Sequence, residues 1–64
     1  MFIARFILAD DTPIILNGDH VVSMISLPPR AEHPFEELTL VSTIDGKGYA
    51  VKGNIEAVKE EILA

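Results

Sequence analysis

The sequence predicts an α+β fold: a small antiparallel sheet of four to five strands, curled or barrel-like, with one C-terminal helix packed on it. Three observations predict it. Short runs rich in β-branched and aromatic residues recur between turn signals. Two pairs, Asn17-Gly18 and Asp45-Gly46, offer the φ > 0 positions that reverse a hairpin. Only the last stretch, Ile55, Val58 and Ile62, spaces its apolar residues on one helical face.

The elements follow in order. Phe2 to Leu8 is apolar on both alternating sets except at Arg5, the pattern of a strand covered on both faces. Ala9-Asp10-Asp11-Thr12 is a polar turn. Pro13 has no amide to give a ladder and belongs at a strand start or edge, with Ile14, Ile15 and Leu16 continuing the strand. If Asn17-Gly18-Asp19-His20 is the next turn, Val21 to Ser26 pairs back as a third strand. Val22, Met24 and Ser26 then share one face, and Val21, Ser23 and Ile25 the other.

From Leu27 to Glu37 the chain holds Pro28, Pro29 and Pro34 and reads as a rigid surface loop. Leu38 to Ile44 and Lys47 to Lys52 form a hairpin around a type I′ Asp45-Gly46 turn. Gly53 stops the strand, and Asn54 can cap the helix by accepting an amide of its first turn. So short a helix is marginal alone and must be held by its apolar stripe. The order is five strands and a helix, or four strands if the first two merge into one bent strand.

Sixty-four residues make one domain, residues 1–64, which buries roughly 60% of its unfolded surface. There is no cysteine, so neither a disulfide nor Cys-ligated zinc can add stability. Hydrophobic residues reach 48% and mean hydropathy is +0.31, high for a small domain that must also cover its own surface. A homo-oligomer is expected. The net charge is −5, and Arg5, Arg30, Lys47, Lys52 and Lys59 are scattered without a basic run, which disfavours a nucleic-acid partner. The apolar N-terminus is broken by Arg5 and too short to span a bilayer, so no membrane span and a cytoplasmic location are expected.

Side chains that could carry chemistry do not assemble into a motif. His20 and His33 share no register and lack a third ligand, so no metal is expected. The pairs Asp10-Asp11 and Glu36-Glu37 read as solvated acids in turns and loops. Ser23, Ser26, Ser42 and Thr43 sit in no nucleophile elbow, and Gly46-Lys47-Gly48 belongs to a hairpin and not a phosphate loop. The chain is therefore expected to be no enzyme, with no catalytic residue and no cofactor. Phe35 is either folded onto the core or displayed to a partner.

The leading expectation is a non-enzymatic protein–protein interaction or accessory protein that self-associates, with Leu27, Arg30, His33 and Phe35 contacting a partner. The alternative is a protein that binds or sequesters a small anionic or nucleotide-like ligand, of phage origin in that case. Arg5 and Lys52 would then converge on the ligand at a site between subunits.

Two segments carry a resemblance. They are Ile15-Leu16-Asn17-x-Asp19-His20-Val21-Val22-Ser23-Met24-Ile25 and Leu40-x-x-x-Ile44-Asp45-Gly46-Lys47-x-Tyr49-x-Val51-Lys52-x-x-Ile55-Glu56-x-Val58-x-x-x-Ile62. They resemble the small flagellar FlbD (SwrD) family and its non-flagellar or phage-borne relatives over almost the whole chain. The resemblance implies the same strand, hairpin and terminal-helix order and brings no catalytic residues. Flagellar members are associated with motor torque in swarming bacteria. The chain departs from the family in its long, proline-rich stretch from Leu27 to Glu37, and in Gly53-Asn54 where the family has Glu-Ser.

Overall fold

β-Branched residues favour extended backbone because two heavy atoms on Cβ fit the pleated surface better than a helical turn. They form two strands at the start of the chain, β1 (Ile3–Ile7) and β2 (Pro13–Asn17). The structure, a computed structural model, describes residues 3–63, so the expected strand start at Phe2 lies outside the described residues. β1 and β2 pair antiparallel, with Ile3 opposite Asn17 and Ile7 opposite Pro13. Pro13 opens its strand, as expected. Ala4, Phe6 and Leu16 point inward, whereas Ile3, Arg5, Ile7 and Ile15 are exposed. The expectation that β1 is covered on both faces is thus corrected: the rest of the chain packs against one face only.

The polar turn at residues 8–12 is closed by Leu8 N–H donating to Thr12 at 2.8 Å and Asp11 N–H donating to Leu8 at 2.9 Å. After β2 the chain does not make a φ > 0 hairpin turn. Asn17 has φ −83° and its side chain accepts the Asp19 amide at 2.9 Å, capping a single 3₁₀ turn over Gly18–His20. That turn carries the chain away from β2 and into the second sheet. The expected pairing of the third strand back on β2 is therefore replaced by pairing with the fourth.

β3 (Val21–Leu27), β4 (Leu38–Thr43) and β5 (Gly48–Lys52) form a second antiparallel sheet in the order β3-β4-β5. A bulge between Val21 and Ser23 takes Val22 out of the alternation, while Met24 lies opposite Val41 and Ser26 opposite Thr39. The two sheets meet where Leu8 bridges Val51 and the Ala9 amide donates to Ala50 at 2.9 Å. Among the described residues there are five strands, but as a two-stranded and a three-stranded sheet, and they do not close a barrel. The hairpin between β4 and β5 forms where expected, with a different turn. Within this turn only Gly46 has positive φ, at +84°, and its amide donates to Thr43 at 3.0 Å while the Thr43 amide donates to Lys47 at 2.9 Å. A type I turn followed by a left-handed residue thus replaces the type I′ turn.

α1 (Ile55–Leu63) begins as the sequence predicts: the Asn54 side chain accepts the Ala57 amide at 2.8 Å. Val58 and Ile62 are buried against Ala4, Phe6, Leu16, Val41 and Val51. Each fully buried side chain of this kind contributes roughly 1.5–3 kcal/mol, enough to hold a helix that is marginal on its own. The one buried polar side chain among the described residues, Thr39, donates its hydroxyl to the Gly53 carbonyl at 3.0 Å and so ties the strand to the turn before α1. No helix among the described residues is long and apolar enough to cross a membrane.

Candidate partner-contact surface

Residues 27–37 carry no α-helix, and no named strand beyond Leu27, yet they are held in shape. Pro28, Pro29 and Pro34 fix their own φ and bias the preceding residues to extended backbone. Two successive tight turns follow, in which His33 N–H donates to Arg30 and Glu36 N–H donates to His33, each at 3.1 Å. The end of the loop is fastened to the second sheet by Gly53 N–H donating to the Glu37 carbonyl at 2.8 Å.

The three-residue step of these turns brings Arg30, His33 and Glu36 to one side. Arg30 Nη2 donates to Glu36 Oε1 at 3.0 Å, and His33 Nδ1 lies 4.0 Å from Glu36 Oε2. Lys52, at the end of β5, lies 3.9 Å from the same Glu36 oxygen and also donates to Asp11 in the first turn. Single pairs near the surface contribute on the order of 0.2–1 kcal/mol, but pairs sharing one carboxylate reinforce one another's geometry. The hydrogen bond from Lys52, and then its charge, hold the Asp11 carboxyl below the ordinary aspartate value of 3.8. The same bond raises Lys52 above 10.5.

Phe35 settles the choice between core and display: it is 96% exposed. It borders a groove of about 410 Å³ whose apolar lining includes Leu27, Pro29, Pro34, Leu38 and Ile55. Of the four residues expected to contact a partner, Leu27 and Phe35 line this groove, while Arg30 and His33 hold Glu36, which also lines it. Arg5 and Lys52 come together too, in a groove of about 610 Å³ between β1 and α1. They do so within one chain, without a second subunit. Asp11 and Glu61 line the same groove, so two cations face two carboxylates.

The sequence reading missed Glu36 and Asp11, which it treated as solvated acids. Glu36 is partly buried and sits within 4.0 Å of three basic side chains. The Arg30, His33, Glu36 spacing was the available signal, because three-residue steps bring side chains together only once the loop turns twice. Among the described residues no three His, Asp or Glu side chains converge as metal ligands would. Compared with protein-family models, curated proteins and solved structures, the chain matches none.

Proposed function

We propose that this chain is a non-enzymatic, self-associating accessory protein that acts by binding protein through residues 27–37. The observation that carries the proposal is Phe35, 96% exposed at the rim of an apolar groove. Its loop is held at the base by Arg30, Glu36 and Lys52. A large aromatic side chain displayed from a pre-shaped loop loses little conformational freedom on binding. The groove shared by Arg5 and Lys52 gives less support to the alternative of an anionic ligand, because Asp11 and Glu61 offset its charge. Membership of the FlbD (SwrD)-like family is part of the proposal and rests on the motif residues and the order of hairpin, cap and terminal helix.

Photo-crosslinking from position 35 of the full chain, in cells, tests the contact. A discrete protein adduct that is lost in Arg30→Ala, with the fold intact by circular dichroism, is the expected result. Crosslinks only to solvent, or adducts indifferent to Arg30, would remove the loop from the proposal.

A further inference from the structure

Among the described residues the β1 and β5 edges meet at the Leu8–Val51 bridge, and the two outer edges, β2 and β3, differ. β2 is short and begins with Pro13, which cannot donate to a further strand. β3 is the longest strand, seven residues, and pairs only with β4. It carries none of the charged or proline residues that normally guard an edge. None of its residues is fully buried, and Val22 and Ile25 are 64% and 53% exposed.

Charge says what can cover it. With a net charge of −5, two copies of this chain repel over most of their surface. From Val21 through Pro29 there is no charged residue, the longest such run in the sequence. Asp19 lies just before this run and Arg30, whose guanidinium also donates to Glu36, just after it. An antiparallel partner strand of the same sequence sets the Asp19 end of one copy alongside the Arg30 end of the other, twice by symmetry. A parallel arrangement would set like charges together instead.

Resting on the self-association in the function proposed above, we propose that β3 is the dimer contact. The β3 strands of two copies pair antiparallel about Ile25, joining their three-stranded sheets into one continuous sheet. Ile25 then packs against its counterpart across the two-fold, and Val22, set out by the bulge, comes beside the Leu27 end of the other strand, a neighbour it lacks in the single chain.

Light scattering on the full chain after size exclusion, at micromolar concentration, tests this. The unaltered chain is expected at twice its 7.0 kDa mass. The double variant Val22→Lys, Ile25→Lys is expected at a single chain mass with an unchanged far-ultraviolet spectrum, since both side chains are exposed. Ile15→Lys, on the apolar outer face of the other hairpin, should leave the dimer intact. An unaltered chain that stays monomeric overturns both this inference and the self-association on which it rests. A dimer that survives the β3 lysines, or is broken by Ile15→Lys, overturns only the β3 contact. If the double variant does not fold, hydrogen exchange on the unaltered chain decides. Protection of β3 amides must rise with protein concentration, and exchange independent of concentration overturns the inference.

Discussion

The turns at residues 8–12 and 43–47 are built alike. In each, the first residue donates to the carbonyl of the fifth: Leu8 to Thr12 at 2.8 Å, and Thr43 to Lys47 at 2.9 Å. In each, the fourth residue donates back to the first, and the third is an aspartate whose carboxylate accepts the amide of the fifth at 3.1 Å. The difference is the fourth residue, which is left-handed in both: Asp11 at φ +70° in one turn and Gly46 at φ +84° in the other. Glycine adopts this backbone freely, whereas a residue with a Cβ is strained there and aspartate is one of the few that tolerate it. The backbone path is thus set by the hydrogen-bond pattern, and glycine only lowers its cost. The Asp11 side chain also has a use that glycine could not serve, since it accepts the hydrogen bond from Lys52.

Removing the joint between the hairpins should have the largest effect. Val51 is fully buried and bridges Leu8, so Val51→Ala is expected to lower stability by about 2–3 kcal/mol through lost burial and the cavity left behind. Urea unfolding measures it, and a loss well under half that size would mean the two sheets do not depend on this contact. Gly46→Ala comes next. An added Cβ meets nothing within 4 Å, so the cost of about 1–2 kcal/mol is backbone strain alone. An unchanged midpoint would show that the turn can relax out of the left-handed region.

Acid addresses both turns together. Asp10 and Asp45 are held below 3.8, Asp10 first by the Thr12 hydroxyl and then its amide, Asp45 first by the Thr43 hydroxyl and then the Lys47 amide. Asp11 is lowered by Lys52. Groups whose folded values are depressed add stability that is complete above their unfolded value and lost as pH falls through the folded one. Urea midpoints should therefore be flat above about pH 5 and fall below about pH 4. The Asp10→Asn, Asp45→Asn double variant should show a shallower fall, and an equal slope would exclude the turns as its source. The smallest effect carries the opposite sign. Asp11→Gly relieves the left-handed strain and loses the exposed Lys52 pair, so a modest rise in the thermal midpoint is expected. A drop as large as that of Gly46→Ala would show that the two turns are not equivalent.

These turns also show what the sequence makes legible. Asp45-Gly46 announces its hairpin because glycine is the usual residue at a left-handed position. Asp10-Asp11 makes the same turn without that mark and reads only as polar. Asn17-Gly18 carries the mark and does not use it, because the Asn17 side chain captures the Asp19 amide and winds a 3₁₀ turn instead. From that one competition follow the changed partner of β3 and the division into two sheets. The Asn54 cap and the apolar stripe of α1 were legible because each depends only on near neighbours. At the candidate site, the rigidity of residues 27–37 could be read from their prolines, and the grouping of Arg30, His33, Phe35 and Leu27 from their closeness in sequence. The role of Glu36 could not, since it depends on Lys52 arriving from β5 and on Asp11 behind it.

The bridge from Leu8 to Val51 sets the order in which the chain can assemble. Each hairpin closes over a few residues and needs little loop entropy, so either can form and dissolve quickly by itself. The bridge joins residues near opposite ends of the sequence and becomes favourable only once both hairpins exist to be joined. It is a late contact, and late contacts govern how fast a protein comes apart more than how fast it forms. The lifetime of the folded chain therefore rests on the junction of the two hairpins, and Val51→Ala should register chiefly as faster unfolding.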